Sequence, residues 1–281
     1  MDQLDYEYHR AHYSQLFGAQ TPEKDDYVRA RALEMHILCV HDALRDEQYK
    51  SVTTASSLEN PQARYFVLYG AGRRFGMIWA AYRSILSIVT IGRKAPLSGD
   101  DVQAVSRDLN TIYINIVGTI DNYAWCLRQE RGSAAVHALP DARIGLFGKG
   151  FIGDACFSEL RPQIVRFQGW FDELRTRRDP AAHRIPLSVP PAVLQPDDLN
   201  RYQAIDGEIG GAIRSLDFDS ADRLRKEQEQ LGQFRATFLH HPDEALIPIY
   251  PTVPQDLGYL VRISNSVRQF LQPSRPVAPV I

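Results

Sequence analysis

The chain is short of cysteine, of net charge and of long apolar runs, and each shortage excludes a class of protein. Three cysteines in 281 residues, Cys39, Cys126 and Cys156, are too few, too scattered and odd in number for a disulfide framework. They fit a reducing compartment. The formal charge is −2, so no general basic field exists to hold nucleic acid, and a polyanion site must be a local patch. No stretch reaches the roughly 18 consecutive apolar residues of a membrane span. The opening MDQLDYEYHRAHY brings acids at once with no apolar core, so no secretory signal is expected. A cytoplasmic location with no membrane attachment is the resulting expectation.

The short chemical signatures are missing too. There is no Cys-x-x-Cys pair, no His-Glu-x-x-His helix and no Gly-x-Ser-x-Gly elbow. No metal site and no cofactor are therefore expected. Gly70, Gly72 and Gly76 in YFVLYGAGRRFG imitate a phosphate loop. A dinucleotide fingerprint needs an acidic residue about 20 positions on, and residues 77–96 contain none. An apolar helical stripe runs through these glycines, so close approach of two helices is their expected role.

What the chain does have is apolar residues at steps of three and four. They predict helices over residues 24–48, 62–92, 100–128, 158–178, 205–239 and 256–271, with Ser98 capping the third. The run IPLSVPPAVLQPDD cannot be regular structure, because its prolines remove donors and hold the backbone extended or turned. Its Ile185, Leu187, Val189 and Val193 make it a tether with apolar handholds. The expected fold is an all-α helical bundle, one domain over residues 1–281, with a proline-rich loop and additional C-terminal helices.

Two groups of polar residues stand out. Asn115, Thr119 and Asn122 share one face of the third helix, with Asp121 beside them. Buried polar groups must be paired, so the stripe forms either a network between helices or the wall of a cleft. The second group is RTRRDPAAHRIP, from Arg175 to Pro186. Residues 161–184 hold six arginines against three acids, one cationic locality in a slightly acidic chain. Asp179 before Pro180 reads as a helix start, so a break is expected after Arg178. That break could turn Arg178 and His183 toward one pocket, or two copies could each supply the pair across a two-fold interface. The structural alternative is a capping Asp179, a paired Arg178 and a His183 in a hydrogen-bonded niche. Both accounts stay open at this level.

Arg178 and His183, with four residues between them, resemble the Arg-x-x-x-x-His signature of the HEPN superfamily. Arg177 fits its longer form. TIDNYAW, IGLFGKGF and RDPAAHRIPLSVPP add to the resemblance, which spans residues 60–195 and leaves residues 205–272 as a helical extension. It implies an all-α homodimer cleaving RNA without metal, often in defence or toxin–antitoxin systems, and leaving a 2′,3′-cyclic phosphate. Carried over, His183 would move the proton, Arg178 would stabilise the phosphorane and Asp179 would orient the pair. Arg177, Arg184 and Asn122 would contact RNA or a nucleotide. Some members of the superfamily are non-catalytic, so a non-catalytic helical dimer acting as a binding or assembly module, holding a partner or a small ligand, is the alternative.

Overall fold

The computed structural model describes residues 2–18 and 21–272. The architecture is all-α, with the two-residue strands β1 (Thr237–Phe238) and β2 (Ile247–Pro248) as its only named strands among the described residues. The central element is α5, Gly99–Arg131, which at 33 residues is about 50 Å long. Ser98 caps it as expected, its hydroxyl accepting from the Asp101 amide, and Asp100 and Asp101 place negative charge at the positive end of the helix dipole.

Against α5 pack α3 (Pro61–Tyr65) with α4 (Arg73–Ile88), α9 (Gln168–His183) and α12 (Thr252–Leu271), and α2 (Pro22–Ser57) packs in turn on α4 and α12. The core they enclose is rich in large side chains, with Tyr82, Tyr113, Tyr123, Phe75 and Phe157 fully buried. Among the described residues no helix is long and apolar enough to cross a membrane.

Residues 66–72 form a π-helical turn that joins α3 to α4 without a break. A helix through Gly70 removes the phosphate-loop reading and supports close approach. A Cβ on Gly70 would fall 2.4 Å from Asn122 Oδ1, and one on Gly72 would fall 3.1 Å from Ser51 Cβ. At both glycines a residue of another helix leaves little or no room for a Cβ.

Several expectations need correction. A further helix, α1 (Tyr6–Phe17), precedes the first apolar stripe; it is anchored by His9, buried against His36 at 6.0 Å between ring centroids. The span 158–178 is two helices, α8 (Arg161–Val165) and α9, and Pro162 lies in the first turn of α8. The span 205–239 is also two, α10 (Pro196–Arg214) and α11 (Phe218–Gln228), parted where Leu216 adopts a φ of 59°. Bridges from Ser188 to Leu239 and from Val193 to Gln233 pin the proline-rich tether to the segment after α11.

The break after Arg178 does not occur. Helix α9 continues through Pro180 to His183. Proline removes the bond to the Thr176 carbonyl, but Thr176 is exposed and water can satisfy it. Asp179 is therefore no cap. Its carboxylate is held within the helix by Arg175 Nη2 at 2.9 Å and Arg178 Nη1 at 3.1 Å.

Candidate functional site

Helix α9 buries one side and exposes the other, and this sorts its arginines. Leu174 and Arg177, three residues apart, are the buried positions. Arg177 donates to Asp256 Oδ2 on α12 at 2.9 Å, pairs with Glu173 and lies 6.0 Å from the Tyr113 ring centroid. Asp256 also accepts from Tyr113 Oη at 2.9 Å and from Trp170 Nε1 at 2.8 Å. Burial pushes the Asp256 carboxyl upward, and Arg177, Trp170 and Tyr113 pull against it. For Arg177 burial acts downward, but Asp256, Tyr113 and Glu173 outweigh it and raise its pKa. Arg177 thus ties α9 to α12 and is not open to a phosphate, contrary to its expected contact with substrate.

The other face is open. Arg175, Arg178, Asp179, Pro180, His183 and Arg184 line a pocket of about 410 Å³ at the end of α9. Residues five apart on an unbroken helix face different ways, yet Arg178 and His183 reach the same space. The pocket wraps the helix end, where Arg184 leaves helical geometry at φ −141° and ψ −81°. His183 and Arg184 are exposed, and Arg178 is half-buried. The niche considered for His183 is absent: its imidazole makes no hydrogen bond among the described residues. Partial burial alone would raise the Asp179 pKa, but hydrogen bonds and charge from Arg178 and Arg175 outweigh it and hold it below the ordinary carboxylate value. Asp179 is a fixed anion that aligns two guanidinium groups.

A second cleft of about 340 Å³ adjoins the first and shares Arg175 and Arg178 with it. Its walls come from α5, through Asp121, and from the loop Gly145–Gly148. Surrounding protein raises the Asp121 pKa, against the pull of Arg178, Arg74 and Arg175. The residue is nevertheless exposed at the surface, so solvent limits that shift.

The remaining polar stripe is structural. Arg74 Nη1 donates to Asn115 Oδ1 at 2.9 Å, Thr119 Oγ1 to the Asn115 carbonyl at 2.7 Å, and Asn122 Nδ2 to the Gly118 carbonyl at 2.7 Å. Asn122 packs on Gly70 and lines neither cleft, so its expected contact with substrate is not met. Among the described residues no three His, Cys, Asp or Glu side chains gather as a metal-ligand set.

Motif reading passes over Arg175 and the Asp256 network. The signal for Arg175 is its spacing, three residues before Arg178 and four before Asp179, which places all three on one helical face. For Asp256 the only signal is a lone acid beside the apolar stripe of Leu257, Leu260 and Val261. No protein-family model matches the chain, and no curated protein or solved structure matches it.

Proposed function

We propose that the end of α9 binds a phosphodiester and that the protein is a HEPN-like endoribonuclease cleaving RNA without a metal ion. The observation that carries this reading is the shared pocket: the exposed imidazole of His183 and the guanidinium groups of Arg175, Arg178 and Arg184 line one space of about 410 Å³. Guanidinium stays charged and matches phosphate with paired donors, so it can stabilise the charge that builds on a phosphorane. Imidazole titrates near neutrality and can take the proton of a ribose 2′-OH. The 2′-oxygen attacks phosphorus, the bond to the 5′-oxygen breaks, and a 2′,3′-cyclic phosphate remains. The leaving 5′-oxygen needs a proton, and a second copy bringing its own His183 to a common cleft would supply it, which makes the proposed enzyme a homodimer.

The test is cleavage of single-stranded RNA in EDTA. His183→Ala should lower the rate on the order of 10²-fold or more. The melting temperature should hold, because His183 is exposed and unbonded. Equal cleavage by both proteins would end the proposal.

A second reading, a helical dimer that holds a protein partner, draws on two observations. Asp179 already occupies Arg175 and Arg178, and the turn after α10 displays Leu216 and Phe218 at 74% and 60% exposure. It is favoured if purified wild-type protein has no cleavage for His183→Ala to remove.

A further inference from the structure

The cleft beside the phosphate pocket is built differently from it. Phe147 and Phe171 stack at 4.1 Å between centroids and 13° between planes, and both line the cleft. Asp121 stands in the same wall, with no hydrogen bond or ion pair within bonding distance among the described residues; Arg178, Arg74 and Arg175 act on it only through their charge. In the loop that carries Phe147, the Gly148 amide is used by the Gly145 carbonyl at 2.9 Å. The amides of Gly145, Leu146 and Phe147 have no acceptor among the described residues. An apolar floor, a carboxylate with both oxygens unclaimed and free amide donors thus lie next to a pocket for phosphate.

These groups discriminate among bases by hydrogen-bond logic. A carboxylate only accepts, so it favours an edge with two adjacent donors. Guanine has such an edge in N1–H and the N2 amino group, with O6 beside them as an acceptor for a backbone amide. Adenine and cytosine set a single amino donor next to a ring nitrogen that accepts, and a carboxylate repels that nitrogen. Uracil flanks its one N–H with two carbonyls. Aromatic floors stack any base and add affinity without choosing among them.

We propose that this cleft is a guanine subsite, with Asp121 reading the N1–H and N2 amino edge over the Phe147–Phe171 floor. The inference rests on the phosphate-binding reading of the adjoining pocket. Guanosine held here would place its 3′-phosphate toward Arg175 and Arg178, which border both spaces.

The test is titration of the full-length protein with guanosine, adenosine, cytidine and uridine 3′-monophosphates, each followed by calorimetry. Wild type should bind the guanosine compound at least about fivefold tighter than the uridine one, the low end of what a bidentate contact to a base supplies. Asp121→Asn should bring that ratio close to one. A ratio taken within each protein cancels the general effect of removing a negative charge. Equal affinities in wild type, a ratio unchanged in Asp121→Asn, or no measurable binding would each overturn the subsite. Failure of the nuclease reading looks different: guanine preference would persist while His183→Ala left RNA cleavage unaltered.

Discussion

Arg177 and Arg178 are neighbours on one helix and live in opposite environments. Arg177 is 5% exposed and bonds Asp256 at 2.9 Å inside the core, while Arg178 opens onto the pocket with His183. The 100° turn between consecutive helical residues separates a guanidinium locked in the core from one that faces a pocket.

The pair should therefore respond very unequally to truncation. Arg177→Ala leaves Asp256 buried without its cation, and losing one partner of a buried pair costs about 3–5 kcal/mol. Arg178→Ala should change stability by less than about 1 kcal/mol, since its contact with Asp179 is partly solvated. Urea unfolding of the two variants checks this.

Glu47 and Arg268 form a second buried pair, joining α2 to α12, with Ser264 Oγ donating to Glu47 Oε2 at 2.6 Å and lying 2.5 Å from Tyr123 Oη. Glu47→Leu alone should cost about 3–5 kcal/mol by stranding Arg268. Adding Arg268→Met should recover a large part of that loss, because two apolar side chains carry no desolvation penalty. Recovery measured in a double-mutant cycle is the check.

His36 makes the fold sensitive to acid. Burial, with His9 nearby, lowers its pKa from 6.5 to about 4, against the opposing effects of Asp5 and the Pro254 and Gln3 carbonyls. The unfolded chain binds more protons than the folded one between these values. Stability from this residue is thus complete above pH 6.5, falls as pH drops toward 4, and changes no further below that. The slope approaches about 1.4 kcal/mol per pH unit, some 3 kcal/mol in all. His36→Leu should flatten the unfolding free energy over that range, measured by urea titration at a series of pH values.

Gly70 offers a packing test. Gly70→Ala puts a methyl into Asn122, at 2.4 Å from its Oδ1, and overpacking of this kind costs about 1–3 kcal/mol. The double variant Gly70→Ala, Asn122→Ala should be more stable than Gly70→Ala alone, since alanine favours a helix over glycine by about 1 kcal/mol. Thermal melts of both variants decide it.

The helices themselves are local objects, and the apolar stripe of Leu109, Ile112, Ile116 and Ile120 is enough to announce α5 and its cap at Ser98. The close-approach role of Gly70 was legible for the same reason, because a stripe that continues through glycines leaves no strand for a phosphate loop. Helix α1 was not legible, since its residues carry little apolar periodicity and it is fixed by His9 packing on His36 from another helix.

Residues of RTRRDPAAHRIP line a pocket, but the break expected within it does not form. Asp179 before Pro180 is a good local start signal, but the clamp of Arg175 on Asp179 and the open solvent at Thr176 let the helix run on. Periodicity therefore determined that this chain is a bundle of helices and roughly where its longest ones, α2 and α5 among them, lie. Only tertiary packing decided which arginine meets Asp256, 79 positions away for Arg177, and which ones are left to face a pocket. Local spacing encodes a face of one helix; the identity of whatever covers that face depends on distant chain segments and is absent from the spacing.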